Sequence, residues 1–376
     1  MPASIIAVTG ATGFIALHTI RALLSRGLTV HATVRSLAAA SRHRLLPLLD
    51  PPPPLAAVLA LPLLPDGSLQ LTPRLRLFEA DLLGGAAAFA PALAGCGALI
   101  HAASPYNLGA PPAEQMGPAL EGTLAALRAA EAEAGLRRVV LTSSAAAVYV
   151  GGPARPADHV YSEADWSDEG ALEAAKSWYA LGKTRAERAA WAFVGSEAHA
   201  EARRAAGAPP LSLAAICPTQ TLGPVLEPAV APSGARRGAN QSSALLLEFM
   251  DGSKAALPAK GKCLVDVRDV AEAHALAALL VAAPAPGAPG GEERYLLVAG
   301  SLPWRAIGAL LRAAVPAGCG AAVPSAVEAG PPSLPQALCS GAAAWRLGVR
   351  YRPLEDTLAD AAASLVAQGY LVPKAR

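Results

Sequence analysis

The chain has 376 residues, 53% of them hydrophobic, and a formal net charge of +2, enough apolar length for one large core or for a domain with an attached lobe. Near-neutral charge removes the electrostatic case for a nucleic-acid or membrane-surface partner. Five cysteines, Cys96, Cys217, Cys263, Cys319 and Cys339, lie far apart without a Cys-x-x-Cys spacing, so buried free thiols are expected, with no disulfide and no metal site. Reduced thiols, together with the lack of a basic, apolar run before Ser4, point to a cytoplasmic location.

Residues 4–9 are a short apolar run ending in Thr9. Gly10-Ala-Thr-Gly13-Phe-Ile-Ala16 follows at once, then a helical pattern over residues 14–26. An apolar strand that enters a glycine turn and then a helix opens a parallel βαβ unit. Gly10 permits the tight turn, Gly13 lets the backbone approach a pyrophosphate, and the helix N-terminus offers N–H donors to it. Ala16, at the third glycine position, is small enough to keep helix and strand close. Dinucleotide binding is the expectation. The second strand, residues 29–35, ends on Arg35 with Ser36 beside it. An acidic residue there would bind a ribose diol, whereas an arginine attracts a 2′-phosphate, so NADP(H) is expected over NAD(H). Arg42 and Arg44 either assist or lie on a solvated face.

Residues 50–73 turn proline-rich and apolar, too short and interrupted to span a bilayer, and are read as an inserted surface loop with no activity. A third strand over residues 75–79 leads to Asp81-Leu82, where the carboxylate either accepts from an adenine amino group or caps the next turn. The fourth strand, residues 98–102, continues into Ala103-Ser104-Pro105, and small residues at that end let a cofactor lie against the sheet. His101 inside it reads as a core histidine. After a helix over residues 112–135, the fifth strand runs over residues 138–144 and ends on Ser144. Thr142 and Ser143 compete with that serine for the same role.

Residues 171–194 read as one helix, having no proline and a single glycine. Tyr179 and Lys183, four apart, share one helical face. An ammonium beside a phenol favours the phenolate and makes the tyrosine a usable proton donor or acceptor. Tyr179, Lys183 and Ser144 would thus converge on the sheet edge that carries the cofactor.

These residues resemble the extended short-chain dehydrogenase/reductase family, and within it the dihydroflavonol reductase, cinnamoyl-CoA reductase and aldehyde reductase branch. The matching pieces are Val8-Thr-Gly-Ala-Thr-Gly-Phe-Ile15, Ala32-Thr-Val-Arg35, Ala80-Asp-Leu82, His101-Ala-Ala-Ser-Pro105, Leu141-Thr-Ser-Ser144, Trp178-Tyr-Ala-Leu-Gly-Lys183 and Asp266-Val-Arg-Asp-Val-Ala-Glu-Ala-His274. The resemblance implies Ser144, Tyr179 and Lys183 as a catalytic triad, with Lys183 also on the nicotinamide ribose and Arg35 on the 2′-phosphate. It further implies cofactor contacts from Thr9, Gly10, Thr12, Gly13, Phe14 and Ile15 in the first turn. Asp81, Leu82, Ala102, Ala103 and Ser104 would add to them from the strand ends, and Pro218 and Thr219 would line the nicotinamide site.

A sixth strand is expected over residues 211–216. Irregular sequence then follows to residue 262 around one helix, residues 242–250, the kind of segment from which α/β enzymes build substrate pockets. Tyr149, Thr221, Asn240 and Gln241 are the candidate substrate contacts. Residues 264–267 are expected to return to the sheet, Asp269 to cap a helix over residues 270–282, and residues 294–298 to form a last strand. Helices near residues 304–314, 336–347 and 355–368 complete a lobe.

The expected architecture is α/β: a Rossmann-type, doubly wound parallel sheet with a smaller C-terminal substrate-binding lobe. Residues 1–216, with 263–299 returning to the sheet, form the NADP-binding domain; residues 217–262 and 300–376 form the lobe. The expected function is NADPH-dependent reduction of a small aldehyde or ketone by a monomer or homodimer. An NAD-dependent sugar-nucleotide epimerase or dehydratase is the alternative, which an acidic residue in place of Arg35 would favour. A non-catalytic NADP-sensing protein is a third reading.

Overall fold

Strand β1 (Ile5–Thr9) sends Ile6 and Val8 to one face of a sheet and Ala7 to the other, all fully buried. A strand apolar on both sides belongs in the middle of a parallel sheet, and that is where it lies. The computed structural model describes residues 5–38, 42, 44–49, 57–58, 60–104, 109–151, 159–231, 234–280, 293–315, 322–330, 338 and 341–371. Further strands are β2 (Thr29–Val34), β3 (Leu69–Thr72), β4 (Leu75–Glu79), β5 (Ala98–His101), β6 (Arg138–Thr142), β7 (Ser212–Pro218), β8 (Gln220–Leu222), β9 (Gly261–Asp266), β10 (Arg294–Leu297) and β11 (Gly300–Pro303).

Eight of these form one sheet in the order β10-β7-β6-β5-β1-β2-β4-β3. All neighbours run parallel except β3, which is antiparallel to β4. From β1 the chain winds first toward β2 and β4, then back across to β5, β6 and β7. The order reverses between β1 and β5, and the crevice beyond the carboxyl ends of those strands is where such sheets take ligands.

Helices α1 (Phe14–Ser25) and α8 (Val267–Leu279) pack on one face, with Leu17, Ile20, Leu23 and Val270 against Ile6, Val8 and Ile100. On the other face lie α2 (Gly85–Leu93), α3 (Pro112–Ala132) and α5 (Trp178–Val194), with Phe89, Ala126 and Ala190 against Leu99, Val139 and Leu141. Between α3 and α5 come the short α4 (Glu169–Ala174) and, after α5, α6 (Glu197–Ala205).

A second core gathers Leu222, Leu246, Phe249, Leu257, Leu264, Trp304, Leu311, Leu358 and Leu365. It is built from a three-stranded sheet in the order β11-β9-β8 and the helices α7 (Gln241–Met250), α9 (Trp304–Ala314) and α10 (Leu354–Ala367).

Several expectations need correction. Part of the stretch read as an inserted loop, residues 50–73, is strand: Leu69, fully buried, seats β3 on β4 in a hairpin. The prolines upstream hid the short apolar alternation of Leu69, Gln70 and Leu71. Residues 50–56 and 59 lie outside the described residues.

Residues 264–267 do not rejoin the main sheet. β9 pairs with β8 and β11 instead, because β10 already occupies the free edge of β7. The following helix starts at Val267 under Asp266, whose carboxylate accepts from the Arg268 N–H at 2.7 Å, so Asp269 is inside it rather than its cap. The helix expected over residues 171–194 is broken, since Lys176 takes a left-handed φ of 54° and separates α4 from α5. In the C-terminal region residues 343–347 form a short π-helix; much of the helix expected before it lies outside the described residues.

Candidate active site

The loop from β1 into α1 is shaped by contacts behind it. Thr9 Oγ1 accepts from the Ala103 N–H at 3.1 Å and is bonded to His101 Nδ1 at 2.9 Å, tying the exits of β1 and β5 together. The Gly10 N–H donates to Thr33 Oγ1 at 3.2 Å. Gly10 has φ 71°, and a Cβ there would lie 2.9 Å from Ala103 Cα, so no other residue fits without moving the neighbouring strand. At the N-terminus of α1 the N-cap is Gly13, with no side chain capping the first turn. Its free N–H groups are suited to an anion.

A cleft of about 520 Å³ opens at this point. Its lining brings together Gly13, Phe14, Ile15, Ala102 and Ser104, the residues Ser144, Tyr179 and Lys183, and Tyr149, Pro218, Thr219, Thr221, Asn240 and Gln241. A second cavity of about 590 Å³ shares Arg44 with the first and is lined by Thr12, Arg35, Ser36, Glu227, Arg237 and Gly238. Arg35 and Ser36 are exposed there. Arg44 is held across the groove: its guanidinium pairs bidentately with Glu227 and donates to the Thr12 carbonyl at 2.7 Å. Arg42 donates to the Leu37 carbonyl at 2.8 Å and takes no part in lining either cavity.

Helix α5 carries Tyr179 and Lys183 on one side, against β6 and the turn after it. The Lys183 ammonium donates to the Thr142 carbonyl at 2.9 Å. It is buried, and burial pulls its pKa from 10.5 down to about 8. All three competing hydroxyl residues line the cleft, but the hydroxyls of Thr142 and Ser143 are already bonded to other side chains. The Thr142 O–H meets His274 Nε2 at 2.8 Å, an acceptor because His274 Nδ1 is bonded to the Val270 carbonyl at 2.7 Å. The Ser143 O–H donates to Glu187 Oε2 at 2.5 Å. Ser144 caps the turn 145–147, accepting from the Ala146 N–H at 3.1 Å.

Ser144, Tyr179, Lys183 and the four substrate candidates therefore border one cleft. Asp81 and Leu82 do not. The Asp81 carboxylate accepts from the Leu83 N–H at 2.8 Å, and Leu82 packs beside Gly122. His101 is a core histidine, held neutral by burial with a pKa near 3. Cys96, Cys217 and Cys263 are buried thiols outside any disulfide, while Cys319 and Cys339 lie outside the described residues. Sequence reasoning did not anticipate Gln220, Ser242, Lys262 and Cys263 in the cleft wall. They sit beside the chosen Thr221 and Asn240, and the pocket-forming stretch carries no periodicity that would single them out. Among the described residues no group of three or more His, Cys, Asp or Glu could hold a metal, and no helix is long and apolar enough to cross a membrane.

Residues 6–288 match the model of the NAD dependent epimerase/dehydratase family. The cinnamoyl-CoA reductase CAD2 of Medicago truncatula is 36% identical over 276 residues, covering 73% of this chain and 72% of that protein. Among solved structures, vestitone reductase from alfalfa (Medicago sativa L.) superposes with a TM-score of 0.67 at 25% identity, over 98% of this chain and 99% of that one. Gre2 from Candida albicans, in complex with NADPH, superposes with a TM-score of 0.72 at 24% identity over 97% and 99%, a likeness of fold. The chain belongs to the NAD dependent epimerase/dehydratase family, as an extended short-chain dehydrogenase/reductase of the dihydroflavonol reductase and cinnamoyl-CoA reductase branch.

Proposed function

We propose that this protein reduces a small aldehyde or ketone at the expense of NADPH. The observation that carries the reading is the meeting of Ser144, Tyr179 and Lys183 in one cleft that runs on to a glycine turn and an uncapped helix N-terminus. The residues fit the cofactor. Gly10 closes the tight turn against Ala103, Gly13 lines the cleft, the first turn of α1 offers N–H donors to a pyrophosphate, and Arg35 with Ser36 suits a 2′-phosphate. Ala102, Ser104, Pro218 and Thr219 would border the nicotinamide. Bound there, NADPH supplies the hydride.

The chain's own residues do the rest. Ser144 donates its hydroxyl proton to the carbonyl oxygen and so orients and polarises it. Tyr179 transfers its phenolic proton to the same oxygen as negative charge develops there. Lys183, anchored on the Thr142 carbonyl, holds a positive charge beside the phenol, which eases that proton's departure. Tyr149, Thr221, Asn240 and Gln241 face the substrate and keep water from it. Support for carbonyl reduction comes from the reductase relatives, and support for NADPH from Arg35 and from the cofactor in the Gre2 complex.

The test is NADPH consumption across aromatic aldehydes, aliphatic aldehydes, hydroxycinnamoyl-CoA esters and dihydroflavonols, with Tyr179→Phe as control. At least one class should be turned over, and the variant should lose on the order of 100- to 10,000-fold in kcat. Turnover that survives the substitution overturns the assignment.

A further inference from the structure

We propose that the buried Glu187–Arg294 ion pair is a positioning device for the catalytic serine and lysine: it holds the Ser143 side chain and the Ala147 backbone on either side of Ser144 and sets a carboxylate near the Lys183 ammonium. The inference rests on the reading that Ser144, Tyr179 and Lys183 carry the reaction.

Glu187 lies one helical turn after Lys183 on α5 and is fully buried; Arg294, on β10 at the edge of the sheet, is 1% exposed. Arg294 Nε donates to Glu187 Oε1 at 2.6 Å and Nη2 to Oε2 at 3.3 Å. The carboxylate also accepts from the Ser143 hydroxyl at 2.5 Å and from Trp191 Nε1 at 3.3 Å. The guanidinium in turn donates to the Ala147 carbonyl at 3.1 Å, the Glu163 carbonyl at 2.9 Å and the Asp165 carbonyl, and stacks 3.8 Å from the centre of the Trp166 ring. Ser144 thus sits between Ser143, held by the anion, and Ala147, held by the cation. Removing two charges from water costs more than apolar packing of the same volume. Stability alone would be served better by hydrophobic residues here, whereas a fixed backbone around a reacting hydroxyl needs directed bonds.

The same carboxylate also acts on Lys183, one helical turn before it on α5. Facing that ammonium are Tyr179 and Glu187 from α5, His101 from β5, Cys217 from β7 and His274 from α8, with Arg294 beyond Glu187. Burial keeps His101 and His274 neutral and the Cys217 thiol protonated. Glu187, ion-paired with Arg294, opposes the desolvation that would otherwise strip the lysine of its proton.

Two substitutions separate this role from a structural one. Glu187→Gln leaves Arg294 uncompensated and should move the basic limb of the kcat–pH profile down by on the order of 1 unit. Arg294→Gln leaves Glu187 uncompensated and should move it up. Ser143→Ala, which spares the pair, should cut kcat on the order of 10-fold with the limb unmoved and the KM for NADPH little changed. Where the ion-pair variants fail to fold, Glu187→Asp keeps the charge but withdraws the carboxylate, and should reproduce the Ser143→Ala behaviour. The same titration is read without turnover from the pH dependence of NADPH affinity. A parent enzyme inert toward every carbonyl sinks the reaction assigned above, while this readout still tests the clamp. Limbs that stay with the parent's, or that both move one way, overturn the inference.

Discussion

Lys183 offers the sharpest quantitative consequence of the fold. A fall in its pKa from 10.5 to about 8 on burial corresponds to about 3 kcal/mol of differential interaction. The sign follows from proton counts. Below about pH 8 the lysine is charged in both folded and unfolded chains, and the native state bears the whole cost of burying it. Between about pH 8 and 10.5 the folded chain has released its proton while the unfolded one keeps it, so that cost fades as pH rises. Lys183→Met removes the titrating group, with methionine filling a similar volume. Urea denaturation of both apoproteins at about pH 7 and about pH 10 should therefore find the parent gaining most of that ~3 kcal/mol relative to the variant at the higher pH. A stability gap that is the same at both pH values refutes the buried, charge-strained ammonium. In kinetics the same titration should lower the rate of carbonyl reduction as pH rises through about 8, because the positive charge that eases proton loss from Tyr179 disappears.

Arg35→Glu should reverse the cofactor preference, lowering the ratio of kcat/KM for NADPH over NADH by on the order of 100-fold, since it removes a phosphate partner and adds repulsion. An unchanged ratio would mean that the second cavity does not hold the 2′-phosphate. Gly10→Ala forces a side chain into a left-handed backbone and against Ala103 Cα at 2.9 Å. Thermal unfolding should register a loss of about 1–3 kcal/mol, and NADPH titration a weakened affinity; a variant matching the parent in both would contradict the tight turn.

The nucleotide-binding half was readable because each signal was local. Gly10 and Gly13 follow an apolar strand directly, and Tyr179 and Lys183 sit one turn apart on a helix. What escaped was decided by long-range contacts or by unmarked backbone. Lys176 breaks the helix at a left-handed residue that is neither glycine nor asparagine, so nothing in the sequence announces it. β9 reads as a strand either way, but which sheet it joins depends on partners far along the chain. Glu187 and Arg294 lie 107 residues apart, and neither looks buried from its neighbours. The charge of Glu187 within a helix whose Lys183 faces the cleft was the only hint. The cleft wall is legible at Thr221 and Asn240 but not at Lys262 or Cys263, because irregular segments place side chains without a period.

Direct hydride delivery is the central claim, and isotope transfer tests it most directly. NADPH carrying deuterium at both positions of the reactive carbon of the nicotinamide is incubated with the enzyme and an aldehyde it consumes, and the alcohol is analysed by mass spectrometry. The account predicts one deuterium on the newly formed carbinol carbon, and none when Tyr179→Phe replaces the parent over the same interval. An alcohol formed without the label, or with the label lost to solvent, would contradict it.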